Sequence, residues 1–433
     1  MGAETVVIDL GLGRGEPESY ERLRRGATPQ WFAPVVVAML LLLSSGASAA
    51  PPQPPLRALL RIPMSPADPY LITGAGLLTQ AGGQLTSYDL ESGALRWRTP
   101  QPIPVYRLRT GGGLLLLQPW TTAYQSGGTT AISVTTGALA WRNPRNVVSI
   151  GGGVALAAVT GTRSLSGSGR RVQGAIDVLD PVTGSTRWQL RVPSTAVVLS
   201  VPGPAGAHLL TVRDDRTANL YDLAGGRLLA TRELPTANYG PENPVVAGGV
   251  VLLRHPGQSG MEVSAYDPAT LRPIWTEPAG GTYEVQPCGP LACLLGQAGV
   301  VAVDPSTGDR RWARANWQAV DEQGPDLLAY PDDDISRPVG LVDSATGRVL
   351  VDLTGWLPVA GADGSGDLLV TLEAPPGART MVAVADRDTG RPRPIAQLPA
   401  GTGQCEAAPG RLICRSTAGE LVVWAYDEAA GAG

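Results

Sequence analysis

Asp304-Pro305-Ser306-Thr307-Gly308-Asp309-Arg310-Arg311-Trp312 follows the apolar run Val300-Val301-Ala302-Val303, and the order reads as strand, tight turn and returning strand. Gly308 can take the positive φ such a turn needs, and the Asp304 carboxylate can accept hydrogen bonds from the turn amides. Trp312 then falls in the returning strand, where a ring of that size needs a packing partner.

The same pattern recurs on both sides of this stretch. Asp89 and Gly93 lead to Trp97, Ser133 and Gly137 to Trp141, and Asp180 and Gly184 to Trp188. A copy with Asp222 and Gly226 has Ala230 at the Trp position, and Asp267 is followed by Leu271 in place of glycine but keeps Trp275. Two later copies, Asp343 with Gly347 and Asp386 with Gly390, carry Val351 and Pro394 where Trp stood. Gly93 and Gly390 lie seven steps apart, so the mean period is about 42 residues, the length of one four-stranded propeller blade. Two further apolar runs precede each hairpin, as at Val246–Ala247 and Val250–Leu253 before Met261–Tyr266. The expected class is all-β, a β-propeller of eight or nine blades.

The repeat Asp-x-x-Thr-Gly-x-x-x-Trp resembles the PQQ-like repeat of the quinoprotein alcohol dehydrogenase-like propellers over about residues 56–428. The resemblance implies that Trp97, Trp141, Trp188, Trp275 and Trp312 dock between neighbouring blades. The last copy, from Cys405, offers only three strands, so the lone apolar segment Leu56–Pro63 is expected to supply the fourth and close the ring. Closure hides the sheet edges that otherwise invite aggregation. Quinoprotein dehydrogenases hold their cofactor over calcium and commonly carry two adjacent cysteines. This chain has no Cys-Cys pair and no carboxylate that stands out as a base, so the expectation is a non-enzymatic propeller with no cofactor and no catalytic or metal residues.

Of 433 residues, 55 are Gly and 39 are Pro, as many short strands and turns require. The net charge of −4 gives no reason to expect nucleic acid as a partner. The four cysteines form two local pairs, Cys288 with Cys293 and Cys405 with Cys414, and neither has zinc-type spacing or a neighbouring His. Two cross-hairpin disulfides, and hence an oxidising compartment, are the favoured reading over free thiols.

Residues 1–30 read as a polar cytoplasmic tail with one apolar patch at Val6–Leu10, either unstructured or a docking motif for a cytoplasmic partner. Residues 31–50 carry no charge and are long enough to span a bilayer as a helix, a transmembrane anchor with a cleaved signal as the alternative. Arg22, Arg24 and Arg25 ahead of it place the N-terminus in the cytoplasm and everything after residue 50 outside. Residues 51–55 form a stiff Pro-rich spacer.

With the turn residues absorbed by architecture, candidate binding groups lie on loops of the opposite face: Trp120, Tyr124, Tyr239, Trp317, Tyr330 and Trp356. Asp332–Asp334 is a weak calcium candidate, because consecutive carboxylates rarely complete an oxygen shell. Arg163, Arg170 and Arg171 read as an exposed Gly/Ser-rich loop. The function expected is a scaffold or binding module at the outer face of the membrane, similar in kind to the propeller lipoproteins of outer-membrane barrel assembly, though no lipobox cysteine precedes Leu56. Its partner is another protein or an envelope component. A PQQ-dependent dehydrogenase and a cell-wall or glycan-binding propeller are the alternatives.

Overall fold

A computed structural model describes residues 56–101, 105–119, 128–150, 155–159, 170–203, 206–240, 242–332, 334–361, 368–372 and 379–426. The tail, the uncharged stretch and the spacer lie outside these residues, and Trp120, Tyr124 and Arg163 do as well. Among the described residues there is no helix long and apolar enough to cross a membrane.

The strands form nine four-stranded units in sequence order, which settles the blade count at nine. Blade 1 runs through Tyr70–Thr73, Gly76–Ala81, Gln84–Asp89 and Leu95–Pro100, each strand antiparallel to the next; the strands of blade 2 lie within 105–143, of blades 3 and 4 within 146–233, of blade 5 within 245–280, of blade 6 within 282–314, of blade 7 within 317–352 and of blade 8 within 357–397. Blades 3 and 4 are joined by one long strand, Thr186–Gly203. It pairs with Arg170–Leu179 and, over its later part, with Gly206–Arg213. Arg170 and Arg171 therefore open a strand and do not sit in a loop, a correction to the sequence reading.

Blade 9 contributes Thr402–Ala408, Arg411–Ser416 and Glu420–Tyr426, and its fourth strand is Leu56–Pro63, paired from Leu56 with Tyr426 to Pro63 with Glu420. The two ends of the propeller thus share one sheet. Arg61 adds an ion pair to Glu420 at 3.1 Å.

The core is divided among the blade interfaces. Nine clusters of buried apolar side chains occur, and each draws on two neighbouring blades, including the seam between blade 9 and blade 1 (Ile62, Met64, Ile72, Leu77, Ile413, Leu421). Alternate side chains of a strand point to opposite sheet faces, so an inner strand flanked by two blades must be apolar on both. The run Leu114-Leu115-Leu116-Leu117 shows this, with Leu114 and Leu116 packed toward blade 3 and Leu115 and Leu117 toward blade 1.

The recurrent tryptophans carry a second, directional contact between blades. The indole N–H of Trp97 donates to Val134 O at 2.8 Å, Trp141 to Pro181 O at 2.9 Å and Trp188 to Leu223 O at 3.0 Å. Trp275 donates to Pro305 O at 2.9 Å and Trp312 to Ser344 O at 3.0 Å. Each acceptor is the second residue of the next blade's turn. The glycine of that turn lies flat on the ring: a Cβ on Gly137, Gly184, Gly226, Gly308 or Gly347 would come within 2.5–3.1 Å of the tryptophan. Turn glycine and preceding tryptophan are therefore one unit.

Two of the three copies without Trp follow the same rule; the third, blade 7, has Val351 yet is followed by Gly390 at φ 69°. Blade 4 has Ala230 in place of Trp, and the next turn has Leu271 in place of Gly at φ 57°. Leu271 is buried in the cluster against which Ala230 packs, so its side chain fills the space left by the missing ring. Blade 8, with Pro394, is followed by blade 9, where the third and fourth strands are not joined by a turn and no turn glycine exists for a ring to cover.

Gly347→Ala should lose about 2–4 kcal/mol of unfolding free energy, combining positive-φ strain with displacement of the Trp312 ring. Gly82→Ala, at φ 57° with open space around it, should lose only the strain of about 1–2 kcal/mol in the same urea titration. Ala230→Trp alone should destabilise by overpacking against Leu271, and Leu271→Gly should relieve it, giving a favourable coupling energy in the double-mutant cycle.

Candidate functional site

The hairpin at Asp304–Trp312 brings a carboxylate, a threonine and an aromatic together, but each group is engaged. Asp304 accepts from the Ser306 amide at 2.9 Å and its hydroxyl at 2.6 Å, and Arg311 donates to the second oxygen at 2.5 Å. The same arginine clamp joins Arg96 to Asp89 and Arg187 to Asp180, seven residues apart each time. Arg311, and then the Ser306 groups, hold the Asp304 carboxyl down at about 2. Arg187, followed by the Thr183 amide, does the same for Asp180, also to about 2. The clamp was legible in the sequence as Asp-x₆-Arg-Trp, and the one copy with Ser133 in place of Asp has Ala140 in place of Arg.

Both cysteine pairs are disulfides, Cys288–Cys293 and Cys405–Cys414, each linking the first two strands of its blade. Bridging loops this short contributes about 2–3 kcal/mol in the chain-entropy account. Cys288 and Cys293 are fully buried beside Trp312 and Trp317, and Cys414 is buried in the closing blade.

Of the four candidate rim aromatics among the described residues, Tyr239, Trp317 and Tyr330 pack inward. Trp317 is 3% exposed, edge-on to Trp312 at 6.1 Å, with the Arg314 guanidinium 5.6 Å from its ring centre. Tyr239 is 5% exposed; its hydroxyl donates to Pro235 O, and burial pushes its phenol up to about 12. Tyr330 is buried in the cluster between blades 7 and 8, and burial raises its phenol too. A large ring at a blade end removes more apolar area from water by folding inward than by standing in a loop. Trp356 alone of the four described rings stays half-buried, on the connection from blade 7 to blade 8. Asp334 is occupied by the Ser336 amide and hydroxyl at 2.9 and 2.5 Å, and Asp333 lies outside the described residues. Among the described residues no group of three or more His, Cys, Asp and Glu could hold a metal ion.

A concave site does exist on the face opposite the Thr-Gly turns. It is a pocket of about 260 Å³ lined by residues from three places: Met64 and Pro66, Gly401 to Gln404, and Arg415 to Glu420. The three segments are tied by backbone bonds, Met64 N to Gly419 O at 2.9 Å and Thr417 N to Gly401 O at 2.8 Å. Arg415 donates to Ser65 O at 3.0 Å and to Asp68 O at 2.5 Å, and its guanidinium lies 4.9 Å from the centre of the Tyr70 ring. Burial, then Glu406, raises the Tyr70 phenol, and Arg415 opposes the shift. With Arg415 so engaged, the wall offers an apolar floor (Met64, Pro66), the Thr417 hydroxyl, the Gln404 amide and the Glu420 carboxylate, the last already paired with Arg61. Such a set can recognise a side chain or short peptide segment. Sequence reasoning missed this pocket because ring closure alone brings residues 64–66 to residues 401–420.

Comparison with known proteins adds the family. A family model described as outer membrane protein assembly factor BamB matches residues 64–198 and 172–432. The chain belongs to this family of PQQ-like propellers. BamB of Moraxella catarrhalis is 15% identical, with 86% of this chain and 100% of that one covered and a TM-score of 0.40. The C-terminal WD40 domain of Sif2 is 10% identical over 86% of this chain and 98% of that one, at 0.41. A europium-containing methanol dehydrogenase is 9% identical over 58% and 69%, at 0.35. Likenesses this distant carry no functional argument. No curated protein matches the chain.

The turn carboxylates set an acid limit. Their folded pKa values lie below the unfolded value near 3.9, so their contribution is complete above about pH 4 and is lost as pH falls toward 2. The thermal midpoint should drop over that window. Asp304→Asn should lower the midpoint at pH 6 and leave a shallower drop between pH 4 and pH 2.

Proposed function

We propose that this chain is a membrane-tethered extracytoplasmic scaffold that binds another envelope protein and performs no chemistry of its own. The observation that carries the reading is the match of nearly the whole propeller to the family described as an outer membrane protein assembly factor. Two further facts support it. The recurrent Asp, Thr, Gly and Trp residues are spent on turn geometry and blade docking, and both disulfides suit an oxidising compartment. Residues 31–50 serve as the membrane anchor, with residues 1–30 in the cytoplasm, free to meet a second partner there, and residues 56–428 outside as the propeller. The partner docks on the face opposite the Thr-Gly turns, where the pocket around Thr417 and Gln404 and the half-buried Trp356 stand on a rigid ring.

A photo-crosslinking residue at Thr417 or Trp356 in cells should capture one discrete envelope protein, identified by mass spectrometry, and the same residue at Glu91 on the turn face should not. Capture from Glu91 alone would place the partner on the wrong face. Dye reduction by the purified chain with added quinone cofactor and calcium would replace the scaffold reading with a dehydrogenase.

A further inference from the structure

Among the described residues, nine large apolar side chains are exposed, and six of them lie in the turn or within the first two residues of the strand that leaves it, four at the same repeat position. Leu95, Leu139, Leu228 and Val349 are each the first residue of an outer strand, and Ile274 is the second residue of another. Val182 sits in the Asp180–Gly184 turn of blade 3. Blades 1, 2, 4, 5 and 7 thus each expose one aliphatic side chain at the turn end of the outermost strand, and blade 3 exposes Val182 in the turn itself, with Thr186 opening its outer strand. Blade 6 has Arg310 at this place and blade 8 has Arg391 and Pro392. Isolated exposed aliphatics are ordinary on a protein surface. The unusual feature here is that five consecutive blades repeat the exposure on the same face.

The closing strand enters the propeller at that face. Leu56 pairs with Tyr426, the end of a third strand. In blade 1 the corresponding end pairs Tyr88 with Leu95, and in blade 4 Tyr221 with Leu228. Only residues 51–55 separate Leu56 from the uncharged stretch 31–50. Five residues rich in proline reach about 16 Å when fully extended as polyproline. A chain tethered there cannot hold its turn face far from the bilayer it enters. The charges on this face nearly cancel: turn carboxylates such as Asp89, Asp180 and Asp304 are each clamped by an arginine of the same hairpin.

We propose that the turn face lies on the bilayer, with Leu95, Leu139, Val182, Leu228, Ile274 and Val349 seated in the lipid interface. The proposal rests on the tether reading of residues 31–50. It orients the propeller: the turn face meets lipid and the pocket face points away from the membrane toward a partner. Because the contact is apolar and the turn carboxylates Asp89, Asp180 and Asp304 are paired within their own hairpins, it varies little with salt.

All four native cysteines are in disulfides, so a single introduced cysteine can be spin-labelled without removing any. The full chain, labelled at Leu95→Cys, Leu139→Cys or Leu228→Cys, is reconstituted in vesicles of phosphatidylethanolamine and phosphatidylglycerol. Ile335→Cys, exposed in the loop between the second and third strands of blade 7, serves as the control. At the three leucine sites, collision with oxygen should exceed collision with a water-soluble nickel complex several-fold, at 0.1 M and 1 M salt alike. At Ile335 the order should reverse. Nickel-dominant collision at all four sites, in chains that stay with the vesicles through an alkaline carbonate wash, overturns the proposal and leaves the tether standing. Low collision with both reagents at the leucine sites means a second protein copy covers them, and also overturns it. Release of the chain by the wash removes the tether and the proposal together.

Discussion

The fold depends on a contact between an outer-strand tryptophan and the turn of the following blade. The indole ring lies on a glycine that must have no Cβ, and its N–H closes a hydrogen bond to a carbonyl one corner away. Buried apolar clusters bind the blades laterally, but such packing is non-directional. The indole bond fixes how far, and at what height, one blade stands from the next. A flat glycine surface and a fixed acceptor together leave a large ring one way to sit.

From this contact the remaining local features follow. The turn must present its glycine and its carbonyl in one geometry, so its aspartate is held by turn amides and, in blades 1, 3 and 6, by an arginine from the returning strand. Between blades 4 and 5 the contact is abandoned on both sides, with Ala230 and Leu271, whereas between blades 7 and 8 Val351 replaces the ring and Gly390 is kept. The ring then closes by lending Leu56–Pro63 to the last blade, and the seam is packed by the same kind of cluster as every other interface. A nine-bladed ring with a weak seam would open there first. An apolar cluster, an ion pair, a disulfide in the closing blade and the Arg415 clamp on residues 65 and 68 all sit at or beside it.

The two faces consequently differ. The turn face is repetitive, internally neutralised and edged with aliphatics. The opposite face carries the irregular loops, the pocket and the half-buried Trp356. The proposed scaffold role draws on this division, because the repeating unit constrains only one face.

Read alone, the chain determined its class, its repeat, its closing strand and both disulfide pairings, because each is written in local spacing: a turn needs its glycine, a short hairpin brings its cysteines together, and a missing fourth strand needs a donor. Asp-x₆-Arg-Trp was equally local and was there to be found. Only the tertiary structure decided which aromatics are available. Tyr239, Trp317 and Tyr330 stand in loop-like sequence yet fold inward, since whether a ring finds an apolar neighbour depends on the adjacent blade and not on its own segment. The pocket of blade 9 was beyond sequence for the same reason: residues 64–66 and 401–420 meet only when the ring shuts.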